Sequence, residues 1–184
     1  MKKSFHSMTA LVALLSLSGL AVGCGGVGTA QADLRSAIDA RQTTLSAEGA
    51  ALAANLILDR LRPEVLALGG PVTGADPIAG AVAAMSWVRG RPVQGFMVRK
   101  EPKGHGLRQW IEGRGGIPDG SPVCVVEDTT TTGGSLIKAI ERVTEEGLSV
   151  VQCITVVDRQ EGAAELLAEH GYTLEALTRR EDLL

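Results

Sequence analysis

Aromatic side chains are scarce in this chain: two tryptophans, two phenylalanines and one tyrosine make up 3% of its 184 residues. Platforms of several stacked rings, the common means of holding single-stranded nucleic acid, are therefore not expected. Cations are not in excess either. The net charge of −3 gives no overall basic field, so nucleic acid is not expected as a partner. Cysteine and histidine number three each, and neither shows the spacing of a zinc site. Cys124 and Cys153 have valine neighbours in expected strands and read as buried reduced thiols. The apolar run 8–22 falls short of the roughly twenty residues a membrane-spanning helix needs.

The remaining composition, 45% apolar and 21% charged, is that of a globular α/β domain whose core is built from Leu, Val, Ile and Ala. Helices are expected over 46–62, capped by Ser46 and ended by Pro63, and over 74–87, with Asp76 and Pro77 in the first turn. A further helix is expected over 161–170. Short buried strands are expected over 65–68, 93–98, 123–126 and 150–157. The stretch 99–120, rich in Gly, Pro and charge, reads as a loop too polar to pack. Strands alternating with helices imply a Rossmann-like parallel sheet flanked by helices on both faces.

The most informative run is Val123-Cys-Val-Val-Glu-Asp-Thr-Thr-Thr-Thr-Gly-Gly-Ser135. Its four strand formers suit a strand buried on both faces, and Leu136, Ile137, Ile140 and Val143 then follow helical spacing. The turn between them offers unpaired N–H groups at a helix start and the hydroxyls of Thr131, Thr132 and Ser135, all suited to one phosphate. Glu127 and Asp128 stand at the strand's carboxyl end, where open α/β sheets bind ligands. Acids there repel phosphate but accept hydrogen bonds from sugar hydroxyls. The plain alternative is a buried strand followed by a Gly-rich turn, and two charges beside such a strand argue against it. A P-loop fits poorly, because no Lys-Ser/Thr pair follows the glycines.

Two more clusters carry chemistry. Arg99-Lys100-Glu-Pro-Lys103-Gly-His105 places three cations and an imidazole on one loop, suited to a diphosphate leaving group; a solvated basic loop is the alternative. Asp158-Arg159 follows the strand ending at Val157, so Arg159 can grip a carboxylate with its fork, or instead pair with Glu161 on the surface.

The strand, paired acids and Thr/Gly-rich loop resemble the phosphoribosyl pyrophosphate motif of the type I phosphoribosyltransferases, with Glu127 where aspartate is more usual. The basic run resembles the orotate phosphoribosyltransferase loop, and the segments 38–45 and 70–77 also resemble that family. The resemblance implies the type I phosphoribosyltransferase fold and transfer of phosphoribosyl from magnesium-bound 5-phosphoribosyl 1-diphosphate to orotate. It implies that Glu127, Asp128, Thr129, Thr130, Thr131, Thr132, Gly133, Gly134 and Ser135 bind the donor together with Arg99, Lys100, Lys103 and His105. Lys103, His105 and Asp128 carry catalysis in that reading, Thr131 and Arg159 hold orotate, and Mg2+ rides mainly on substrate oxygens. A homodimer with shared sites is implied, the basic loop covering the neighbour's site.

The amino terminus departs from the family. The family's hood segment, with its Ser-Gly turn and aromatics, is truncated or replaced here. Residues 1–24 resemble a lipoprotein signal ending at a lipid-accepting Cys24, 25–32 read as a linker, and the transferase domain is expected over 33–184. Chemistry favours the cytoplasm, where the donor is made, and a used signal favours a membrane-anchored protein. Two rival functions remain: a transferase for another nucleobase, and a non-catalytic donor-binding regulator or inactive relic that has lost its hood.

Overall fold

The structure is a computed structural model that describes residues 39–102 and 109–183. The expectations for the signal-like segment with Cys24, the linker, the domain start at 33, and Lys103 and His105 lie outside the described residues. The elements run α1 (Ala40–Thr44), α2 (Ala47–Arg60), β1 (Ala67–Pro71), α3 (Ala75–Val88), β2 (Gln94–Val98), β3 (Ile111–Glu112), β4 (Pro122–Thr130), α4 (Gly134–Glu145), β5 (Ser149–Asp158), α5 (Ala163–Glu169) and β6 (Leu174–Arg179). Short 3-10 turns occupy Arg114–Gly116 and Arg180–Leu183.

The six strands form one sheet in the order β3-β2-β1-β4-β5-β6. All neighbours are parallel except the β2–β3 pair, which is antiparallel. The order reverses between β1 and β4, so their carboxyl ends diverge into a crevice. Two apolar layers cover the sheet. Cys124 and Val126 face α2 and α3, whereas Val123 and Val125 face α4 and α5. This alternation of period two carries into the functional end of β4.

Several segments follow the sequence expectation closely. Ser46 caps α2 by accepting a hydrogen bond from the Gly49 N–H at 3.1 Å, and the helix ends before Pro63. Buried Gln152 ties the end of α2 to β5: its amide donates to the Arg60 carbonyl and accepts from the Arg62 N–H, both at 3.0 Å. Cys124 and Cys153 are buried free thiols, and burial pushes the Cys153 thiol up to about 12.

Four expectations need correction. The strand expected over 65–68 is Ala67–Pro71, because pairing with β2 and β4 on either side overrides the poor strand preference of Gly69 and Gly70. The strand expected over 123–126 continues through both acids to Thr130, since β5 pairs along nearly its whole length. Of the stretch 99–120, expected as a loop too polar to pack, the described residues 109–120 do pack: fully buried Ile111 anchors β3 against β2, and Ile117 joins the same core. The edge strand β6 and the short helix α1 are additions to the expected elements.

Candidate active site

β4 delivers its two acids to opposite sides of the crevice. Glu127 shares the α4 side with Val123 and Val125, and Asp128 shares the α3 side with Cys124 and Val126. Each meets the helix start that its parity dictates. Glu127 accepts hydrogen bonds from Ser135 Oγ, at 2.8 Å to Oε1 and 3.0 Å to Oε2. Asp128 lies against Gly74, where an added Cβ would stand 2.3 Å from its Oδ1. Only a residue without a side chain fits between that carboxylate and the start of α3.

Burial controls the ionisation of both acids. It pushes the Glu127 carboxyl up to about 7, partly offset by the Ser135 hydrogen bond and reinforced by the nearby charge of Asp128. Burial also raises Asp128, against the hydrogen bond that its Oδ1 accepts from the Thr129 N–H at 2.7 Å and the attraction of Arg41. Across the crevice Arg41 bonds Asp39 at 2.9 Å, which holds that carboxyl below its usual range.

The turn after β4 enters α4 through Gly133, whose φ of 82° is left-handed. A Cβ there would also crowd Leu167 and Ala163, at 3.1 and 3.2 Å. This glycine turns the chain into α4, whose first N–H groups have no partner within the helix and no side-chain cap from Gly133.

The crevice is a cleft of about 1120 Å³. It brings together Arg99, Lys100, Glu127, Asp128, Thr129, Thr131, Ser135 and Arg159, residues from three separate runs of the sequence. The Arg159 N–H donates to the Thr130 carbonyl at 2.9 Å, which fixes the chain where it leaves β5. Glu161 faces Arg180 at 3.8 Å. Other expected donor residues sit differently. Thr130 points away from the cleft and is 1% exposed, Thr132 stands exposed beside it, and Gly133 and Gly134 shape the turn. The Ser135 hydroxyl, expected to point at a phosphate, is given to Glu127 instead.

The cleft also holds residues that motif reading passed over. Lys138 and Arg142 line it, three and seven residues beyond Ser135, so helical phase alone places them on one face of α4. Trp110 lies 4.1 Å beneath the Arg142 guanidinium, a cation–π contact at the mouth. Thr73 and Gly74 follow β1 there, with a cis peptide between Val72 and Thr73. Arg99 is steadied by Glu112 at 2.9 Å, across the antiparallel β2–β3 pair.

Comparison with known proteins agrees with this geometry. The model of the phosphoribosyl transferase domain family matches residues 40–172. An orotate phosphoribosyltransferase of Rhodopseudomonas palustris (strain BisB5) is 46% identical over 147 residues, spanning 78% of this chain and 79% of that protein. One of Sorangium cellulosum is 43% identical over 149 residues, spanning 80% of this chain and 78% of that protein. Among solved structures, orotate phosphoribosyltransferase of Mycobacterium tuberculosis in complex with 5-phospho-alpha-D-ribosyl 1-diphosphate is 32% identical, with a TM-score of 0.76 over 97% of this chain and 92% of that one. With the paired acids, the glycine-entered helix and these relatives in agreement, the chain belongs to the phosphoribosyl transferase domain family, among the orotate phosphoribosyltransferases.

Proposed function

We infer that this chain transfers a phosphoribosyl group from 5-phosphoribosyl 1-diphosphate to a ring nitrogen of orotate. The C1–O bond to diphosphate breaks, a C1–N bond forms, the ring nitrogen loses its proton, and orotidine monophosphate and diphosphate leave. The observation that carries this reading is the joint placement of Glu127 and Asp128, the glycine-entered start of α4, and Arg159 around one cleft.

Each part has a chemical task. Glu127 and Asp128 accept hydrogen bonds from the ribose hydroxyls and orient C1. The N–H groups at the start of α4, with the Thr131 hydroxyl, hold the 5-phosphate, as helix starts do for anions. Arg159 pairs with the orotate carboxylate through its fork, and Thr131 stands beside it. Arg99 and Lys100 stabilise charge growing on the diphosphate, joined in this reading by Lys103 and His105, which lie outside the described residues. Magnesium enters on the donor's own oxygens, since the ion keeps water and phosphate ligands, and the hard oxygens of Asp128 suit its coordinated waters. The basic loop serves the site of a second copy in a homodimer. The need for an intracellular donor assigns the protein to the cytoplasm.

The test is turnover by the full chain with the magnesium donor and a panel of bases. Orotate is expected to be consumed in preference to uracil, adenine and hypoxanthine, with orotidine monophosphate as product. Donor binding without that product, or faster turnover of a base lacking a carboxylate, would overturn the reading.

A further inference from the structure

One hydrogen bond in the cleft has no task in the reaction just described. Ser135 Oγ donates to both oxygens of Glu127, and among the described residues Ser135 is the hydrogen-bond partner of that carboxylate. Glu127 is 9% exposed, while Ser135 is open to the cleft. A serine hydroxyl carries one proton. While it is spent on Glu127 it is not available to a phosphate, which at this pH only accepts.

The geometry gives the contact a use. Glutamate has one more side-chain torsion than aspartate, and fixing that torsion costs conformational entropy. A carboxylate on so long an arm, with burial pressing it toward neutrality, needs a second anchor to present its oxygens in one place. Ser135 sits in the first turn of α4 and is itself held by the helix, so it can supply that anchor. The carboxylate keeps lone pairs beyond those the hydroxyl engages.

Resting on the transferase reading, we propose that Ser135 is a positioning residue acting through Glu127: its hydroxyl fixes the carboxylate to receive the sugar hydroxyls, and it does not grip the phosphate. The phosphate is left to the main-chain N–H groups of the same turn.

Calorimetric titration of the full-length protein tests this, with the magnesium donor and, separately, with inorganic phosphate. Ser135→Ala is expected to weaken the donor about tenfold and inorganic phosphate less than about twofold. Ser135→Thr restores donor binding. In the Glu127→Gln background, Ser135→Ala is expected to cost nothing further, because the two act as one unit. The pH at which donor affinity falls off should also rise in Ser135→Ala, since the lost hydrogen bond favoured the ionised carboxylate. Equal weakening of phosphate and donor, or full additivity with Glu127→Gln, overturns the proposal and makes Ser135 a direct phosphate ligand. No donor binding by the unaltered protein removes the transferase reading, and this inference with it.

Discussion

Glu127 makes the protein sensitive to pH in a direction that burial fixes. Its carboxyl titrates near 7 in the folded chain against 4.5 when free, so the folded state holds more protons between those values. Stability therefore falls as pH rises through this window, and the penalty is complete above about 7. Glu127→Gln, which carries no charge to bury, is expected to stabilise the protein at pH 8 by on the order of 2 kcal/mol, or roughly 5 °C in Tm, and to gain little at pH 4.5. A thermal melt at each pH checks this. Gly74 offers a second test. Its φ of −65° and ψ of −39° suit alanine, but the new methyl would displace Asp128. Gly74→Ala is expected to cost at least about tenfold in donor affinity with a small change in the urea midpoint. Most of these neighbours could be anticipated from sequence: the paired acids, the hydroxyl-rich turn and Arg159 were visible as residue types suited to sugar, phosphate and carboxylate. The partner that Ser135 chooses was not, because it depends on which way the Glu127 side chain leaves an extended strand directly after the apolar run.

At the scale of elements, legibility followed length and periodicity. Strand β4 and helix α4 could be read because a run of apolar strand formers gives way to helical spacing at Leu136, Ile137, Ile140 and Val143. Strand β3 has two residues and thus no period, and β6 mixes half-exposed Leu174 and Ala176 with buried Leu177 and Thr178. Gly69 and Gly70 misled for a different reason. Their local preference is for turns, and only pairing on both sides holds them extended. Because β3 is fastened chiefly by Ile111, Ile111→Ala is expected to destabilise the protein by about 2–4 kcal/mol in urea unfolding. Loss of the partly exposed Arg99–Glu112 pair should cost under about 1 kcal/mol.

The whole molecule places its parts by strand order. The order reversal between β1 and β4 opens the cleft, and the sheet's two covered faces send alternate residues of β4 to different helices. A homodimer with shared sites makes a specific forecast. Chains carrying Lys103→Ala and chains carrying Asp128→Asn, each inactive alone, should recover about a quarter of the full rate when unfolded and refolded together, since mixed pairs hold one intact site. Absence of recovery, with mixed pairs shown by mass spectrometry, would confine each loop to its own chain. On the proposed function the strand order also divides labour: the paired acids that would take the sugar stand at the end of β4, whereas Arg159, which would take the carboxylate of the base, stands one strand further out. Choice of acceptor is thereby separable from possession of donor, so a lineage, or an engineer, can retune the former beyond Asp158 without rebuilding the latter.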